Sequence, residues 1–201
     1  LCFAEEGNIM GTGELMSYEV GKKALDFLIA NSGSRRNLEV DFFGGEPLMN
    51  WDVVKQLVAY GREQEKLHDK HFRFTVTTNG VLLNDDIQEF INKEMDNVVL
   101  SLDGRKEIND QMRPFRNGKG SYDLIVPKFQ KLAESRNQEK YYIRGTFTRI
   151  IWISPMISCI LQTSDSNRCR LNRLLEMKVI RMRSGRKIFL RSGRSMISSP
   201  R

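Results

Sequence analysis

Phe42-Phe43-Gly44-Gly45-Glu46-Pro47-Leu48 is the stretch on which the reading of this chain turns. It closes a short apolar strand, Leu38 to Phe43, and precedes a helical pattern. That helix starts at Asn50 or Asp52 and carries Trp51, Val54, Leu57, Val58 and Gly61 on one side. Two adjacent glycines at the C-terminal end of a strand let a ligand reach the backbone without meeting a Cβ. Glu46 adds a carboxylate at the same lip, suited to a ligand with an ammonium group, and Pro47 stops the strand. In an open α/β sheet, ligands bind at that lip. Taken alone, the four residues fit a Gly-Gly turn beside a solvated Glu equally well.

The same order of elements recurs on both sides. Ser17 to Asn31 reads as a helix capped by Ser17, with Val20, Ala24, Leu25, Phe27 and Leu28 as its apolar stripe. Phe72 to Thr77 is a second strand, closed by Thr78-Asn79-Gly80. Asn84 to Glu94 is a helix with Asn84 as cap and Ile87, Phe90 and Ile91 facing inward. Asn97 to Leu102 is a third strand, ended by Asp103-Gly104. A polar segment, Arg105 to Gly120, precedes a helix over Ser121 to Glu134 and a fourth strand over Tyr141 to Arg149. Strands and helices that alternate in this way predict βαβ units and a parallel sheet. Right-handed crossovers then put every strand's C-terminal end on one edge. Gly44-Gly45-Glu46, Thr78-Asn79-Gly80 and Ser101-Leu102-Asp103-Gly104 are expected on a shared ligand rim.

The chain has 201 residues, 40% of them apolar and 28% charged, as in a soluble globular protein. No run approaches the ~20 apolar residues of a membrane span, and no signal peptide is recognisable, so no membrane role and a cytoplasmic location are expected. The net charge of +7 is uneven. Residues 151–201 hold 11 of the 32 basic and 2 of the 25 acidic side chains, which leaves residues 1–150 slightly acidic. A nucleic-acid partner is therefore not expected, since it would rest on the tail alone. The odd set of Cys2, Cys159 and Cys169 argues against a disulfide framework.

Residues 1–150 form the patterned domain. Residues 151–201 have no clear period, repeat Arg-Ser-Gly-Arg at 183–186 and 191–194, and are expected to be irregular. A basic interaction arm is one explanation. A reading-frame shift is the preferred one: synonymous codons for Ile151 to Cys169 permit a shifted frame that encodes a capped amphipathic helix, as a further βα unit would require.

With these motifs in order, the chain resembles the radical S-adenosylmethionine (SAM) enzymes, most closely the peptide maturases with a C-terminal auxiliary-cluster (SPASM) domain. Cys2-Phe3-Ala4 looks like the end of that family's Cys-x3-Cys-x2-Cys loop, and Phe42 to Leu48 like its Gly-Gly-Glu motif. Thr77 to Gly80, Ser101 to Gly104, Arg113-Pro114-Phe115-Arg116 and Arg144-Gly145-Thr146 match in the family's order. Cys2 to Glu6 and Ser101 to Arg116 are worded most like the maturases that install thioether crosslinks in Cys-rich (SCIFF) precursor peptides.

The resemblance implies a partial parallel (β/α)6 barrel, with about four strands and their helices present, a [4Fe–4S] cluster and SAM as cofactors. A Cys-rich precursor peptide and an electron donor such as ferredoxin or flavodoxin are the implied partners. By the resemblance, Cys2 ligates the cluster, and backbone groups of Gly44 and Gly45 meet the methionine ammonium, with Glu46 supporting the rim. Ser101 serves the ribose or methionyl part, Arg144 the carboxylate, and Asn79 lies near the ligand. Asp103 is the candidate catalytic residue, near substrate or else part of an Asp-Gly turn. Arg113 to Arg116 contacts substrate or neighbouring loops. His68 and His71, at metal-like spacing, read as a solvated loop.

The sequence departs from the family in two ways. Only the third cysteine of the triad is present, so the chain is expected to be a fragment that assembles no cubane and is inactive alone. Missing strands should expose edges and apolar faces, giving marginal stability and aggregation. Two rivals share the pattern. One is a sulfatase-maturing enzyme that oxidises Cys or Ser to formylglycine. The other is a non-enzymatic βαβ nucleotide-binding module with a basic arm, disfavoured because neither common glycine-rich nucleotide motif occurs.

Overall fold

The computed structural model describes residues 15–147, 175–182 and 185–192. They fall into two units. The first runs to Thr78 and resumes over Leu82–Val98; the second comprises Asn79–Val81 and the chain from Val99 onward.

The first unit holds α1 (Tyr18–Asn31), β1 (Asn37–Phe42), α2 (Trp51–His68), β2 (His71–Thr78), α3 (Asp85–Glu94) and the opening residues of β3 (Asn97–Ser101). The predicted caps form. Ser17 Oγ accepts from the Val20 amide at 3.4 Å, and Asn84 Oδ1 from the Ile87 amide at 2.9 Å. A 3₁₀ turn, Pro47–Asn50, separates the Gly-Gly-Glu segment from α2. Strands β1 and β2 pair in parallel, from Asn37 opposite His71 to Phe42 opposite Val76.

Along β2 the pattern alternates. Phe72, Phe74 and Val76 are fully buried, with Phe74 stacked on both Phe42 and Phe72. Val54, Leu57 and Val58 of α2 and Ile91 of α3 complete this core. The other face of the pair is polar: Glu39, Asp41 and Arg73 are exposed, and Arg73 reaches Glu39 at 3.1 Å. The expected apolar sheet face is thus absent from this part of the sheet. Exposed apolar side chains sit instead on helices, such as Val20 and Phe27 of α1.

Side chains fasten the strand beginnings. Arg62 donates to the carbonyls of Phe72 and Glu94, both at 2.9 Å, and its guanidinium lies over the Phe74 ring. Glu65 accepts from the Phe72 amide at 2.6 Å, and Asp96 from the Phe74 amide at 3.1 Å. His71 is the first residue of β2, not part of a loop, with Nδ1 3.4 Å from Glu65.

The second unit holds the rest of β3, α4 (Lys106–Met112), α5 (Tyr122–Ser135), β4 (Tyr141–Phe147), β5 (Leu175–Met182) and β6 (Gly185–Ser192). Its strands lie in the order β3, β4, β6, β5, and β6 runs antiparallel to both neighbours. Strands β1 to β4 are the parallel set expected of a partial radical SAM fold. The rest of residues 151–201, including the stretch ascribed to a frame shift, lies outside the described residues, as do Cys2, Cys159 and Cys169.

Helix α4 lies within the segment predicted to be merely polar. Its fully buried residue is Asn109, so no apolar period marks it. Helix α5 packs through Ile125, Phe129 and Leu132, and its Pro127 lies on the exposed face.

Three outcomes follow from this packing. Phe74→Ala removes the middle ring of the stack and should cost about 3–5 kcal/mol in chemical denaturation. Gly80 has φ +80°, and a Cβ there would overlap the Phe129 ring. Gly80→Ala should therefore cost about 1–3 kcal/mol by the same measurement. Tyr60 donates to Asp26; that bond, then desolvation and the Asp26 charge, push its hydroxyl up to about 12. Because the folded state favours the protonated phenol, this small contribution is complete below pH 10 and fades as pH rises through about 12. The stability gap to Tyr60→Phe should close over that interval.

Candidate functional site

In the first unit the Gly-Gly-Glu segment leaves β1 and is pinned by its own glutamate. Glu46 Oε1 accepts from the Leu48 amide at 3.1 Å and from the Thr78 hydroxyl at 2.8 Å. One carboxylate oxygen thereby caps the 3₁₀ turn and ties the end of β1 to the end of β2. Thr77 adds a 3.3 Å bond to Asp41. Gly44 and Gly45 are exposed, adopt no positive φ, and among the described residues no atom lies within 4 Å of an added Cβ. Neither strain nor packing therefore requires glycine there. The segment offers bare backbone to open space, which suits a ligand that must come close.

In the second unit Asn79 Oδ1 accepts from the Val81 amide at 2.9 Å, closing the turn that Gly80 makes. Lys128 of α5 caps the same turn through the Val81 carbonyl at 2.6 Å. Ser101 ends β3 and is buried. The following Leu102 amide donates to the Arg144 carbonyl at 2.9 Å, so the segments bearing Ser101 and Arg144 are side by side.

Asp103, the candidate catalytic acid, is buried, with a side chain closed to solvent. Arg113 Nε donates to its Oδ2 at 2.8 Å, and Nη2 reaches Oδ1 at 3.4 Å. Sequence reasoning left Arg113 to substrate or loops; the fold turns it onto Asp103. Asn109 of α4 accepts from the Asp103 amide at 3.3 Å and donates to Ser121 Oγ at 3.2 Å. Ser121 in turn donates to the Arg113 carbonyl at 2.7 Å.

Ser121 is thus used elsewhere and makes no cap bond to α5. Asp110 takes that role by accepting from the Tyr122 amide at 2.8 Å. Gly120 makes room for it, since a Cβ there would overlap the Asp110 carboxylate. Burial, then the charges of Glu107, Asp123 and Asp110, push the Tyr122 hydroxyl up. The Lys106 ammonium is raised by its bond to Asp123. Between the two helices, Phe115 to Lys119 closes on itself through 2.8 Å backbone bonds from the Phe115 amide to the Lys119 carbonyl and from the Gly118 amide to the Phe115 carbonyl. No residue pattern announces Asn109; a buried amide bridging a strand end to a helix start leaves no periodic trace.

Within the first unit, Gly44 to Glu46 offer bare backbone beside a carboxylate; within the second, Ser101 offers a hydroxyl and Arg144 on β4 a guanidinium. For an iron–sulfur centre the fit rests on Cys2. Among the described residues, no group of three or more His, Cys, Asp or Glu could hold a metal, His68 and His71 included. No described helix is long and apolar enough to cross a membrane.

A family model described as a 4Fe-4S single cluster domain matches residues 1–127. An uncharacterized protein of Methanocaldococcus jannaschii is 34% identical over 121 residues, 60% of this chain and 38% of that protein. The radical SAM cyclopropyl synthase TigE of Paramaledivibacter caminithermalis is 27% identical over 52% of this chain and 21% of its own length. A cysteine-type anaerobic sulfatase-maturating enzyme of Clostridium novyi is 31% identical over 49% and 26%. The solved structure of native anSMEcpe with bound AdoMet and Kp18Cys peptide shares the fold, with a TM-score of 0.60 and 20% identity over 71% of this chain and 38% of that one. The chain thus spans well under half the length of these relatives. It belongs to the 4Fe-4S single cluster domain family and, with it, to the radical S-adenosylmethionine superfamily.

Proposed function

We propose that this chain is part of a peptide-modifying radical SAM enzyme that forms a thioether between a cysteine sulfur and an α-carbon of a Cys-rich ribosomal peptide. The observation that carries the SAM assignment is the Gly44-Gly45 backbone, whose missing side chains nothing in the described protein demands. A peptide substrate is supported by the shared fold with anSMEcpe, whose structure contains AdoMet and a peptide. Thioether chemistry is supported by the wording of Cys2 to Glu6 and Ser101 to Arg116.

When bound, a three-cysteine [4Fe–4S] cluster with one open iron supplies reductive cleavage of SAM and, through it, hydrogen abstraction. In this assignment Cys2 is one cluster ligand. Backbone groups of Gly44 and Gly45 take the SAM ammonium, with Glu46 beside them. Arg144 pairs with the methionine carboxylate, where a fork of donors meets two oxygens. Ser101 bonds the ribose or methionyl part, and Asn79 borders the ligand. Forming the S–C bond removes two hydrogens from the peptide. One leaves on 5′-deoxyadenosine; the other would leave as a proton to solvent and an electron to an oxidised iron–sulfur cluster or electron carrier. A ferredoxin- or flavodoxin-like donor delivers the electrons for cleavage in a reducing, cytoplasmic setting.

A second reading, formylglycine formation, is favoured by the 31% identity to the Clostridium novyi enzyme. The two diverge in product. The chain with its native flanking sequence, reconstituted anaerobically with iron and sulfide, should turn brown and convert SAM to 5′-deoxyadenosine under reduction. A Cys-rich peptide encoded next to it should lose two hydrogens and one alkylatable thiol per crosslink. An aldehyde-reactive product would select the formylglycine reading, and absence of SAM cleavage would sink both. Arg144→Ala, which removes a charge-assisted contact, should weaken SAM binding roughly tenfold or more in equilibrium dialysis.

A further inference from the structure

Asp103 and Arg113 form an ion pair closed to solvent on the acid's side, and we propose that they act together as positioning residues for the SAM-binding strand ends rather than as groups that touch the reacting atoms. This rests on the SAM assignment of Ser101 and Arg144 above. Three contacts lead to it.

First, the Asp103 side chain has no solvent exposure, and Arg113 covers it with Nε at 2.8 Å and Nη2 at 3.4 Å. A carboxylate so placed offers its oxygens to the guanidinium, not to a peptide. Second, Asp103 lies two residues past Ser101, and the amide between them, Leu102, donates to the Arg144 carbonyl at 2.9 Å. Fixing Asp103 therefore fixes the backbone that carries Ser101 and its hydrogen bond to the Arg144 segment. Third, the pair is anchored from behind. Asn109, fully buried in α4, bonds the Asp103 amide and Ser121, and Ser121 bonds the Arg113 carbonyl. The ring Asp103, Arg113, Ser121, Asn109 thus closes on itself. Losing any member loosens the others, because each removal leaves a buried polar group without its partner.

The pair should then behave as one unit in ligand binding. Asp103→Asn and Arg113→Gln should each weaken SAM binding on the order of tenfold in anaerobic equilibrium dialysis of the chain reconstituted with its native flanking sequence, and the double variant should be no worse than the weaker single. Arg113→Lys, which keeps the charge and loses the fork, should fall between wild type and Arg113→Gln. Hydrogen exchange at the Leu102 amide should accelerate in every variant. An Ile91→Val variant, destabilised in the other unit's core, should leave both readouts unchanged.

Additive losses in the double variant would overturn the proposal, as would unchanged SAM affinity with Leu102 still protected. So would loss of turnover in Asp103→Asn at unaltered SAM affinity, which would make Asp103 a group in direct contact with substrate. Should the wild-type chain bind no SAM, the assignment beneath fails, and the Leu102 exchange rates still decide whether the pair holds the strand end. If Arg113→Gln does not fold, Arg113→Lys carries the same comparison.

Discussion

Backbone amides and carbonyls at the ends of parallel strands must find partners once they leave the ladder, and this requirement organises the molecule. Buried backbone groups cannot be left unpaired without a cost of about 1–3 kcal/mol each. Here charged and amide side chains supply the partners. Arg62, Glu65 and Asp96 serve the first half of β2, at Phe72 and Phe74. Glu46 serves the exit of β1, and Asn109 the exit of β3. The side chains that look functional in the sequence are in several cases first structural, and any ligand role is built on top of that.

Glu46 and Asp103 illustrate two outcomes of this requirement. Glu46 remains half-buried at a lip where two glycines leave the backbone bare, so its carboxylate both holds the turn and charges an open edge. Asp103 is withdrawn altogether and balanced by Arg113. Taking a carboxylate out of water costs several kcal/mol, and breaking such a pair by deleting one member typically costs about 3–5 kcal/mol. A residue in that position contributes most by being immobile.

Much of the order of elements was legible in the sequence. Four strands and their helices follow from apolar alternation and helical periodicity, because a layer architecture must bury one face of each element. Caps at Ser17 and Asn84 were readable for the same local reason: a side chain three residues before an unpaired amide has few other uses. Helix α4 was not legible, since its inward residue is an amide and its stability comes from Ser121 and the Asp103 amide, contacts far along the chain. His71 joined β2 because Glu65, a turn earlier on α2, reaches both it and the next amide. The antiparallel pair β5 and β6 carried no period that local reasoning could use.

Local chemistry determined which residues this protein has to work with: a Gly-Gly-Glu lip, a Ser-Leu-Asp-Gly strand end, an arginine on the fourth strand, and helices with defined starts. These depend on neighbours within a few positions, which the chain itself specifies. Tertiary structure decided what each of them is attached to. It turned Arg113 onto Asp103, used Ser121 to hold a loop and not to cap its own helix, and set the Leu102 amide on the Arg144 carbonyl. Such pairings join residues 8 to more than 40 positions apart, and only the folded backbone brings them within hydrogen-bonding distance.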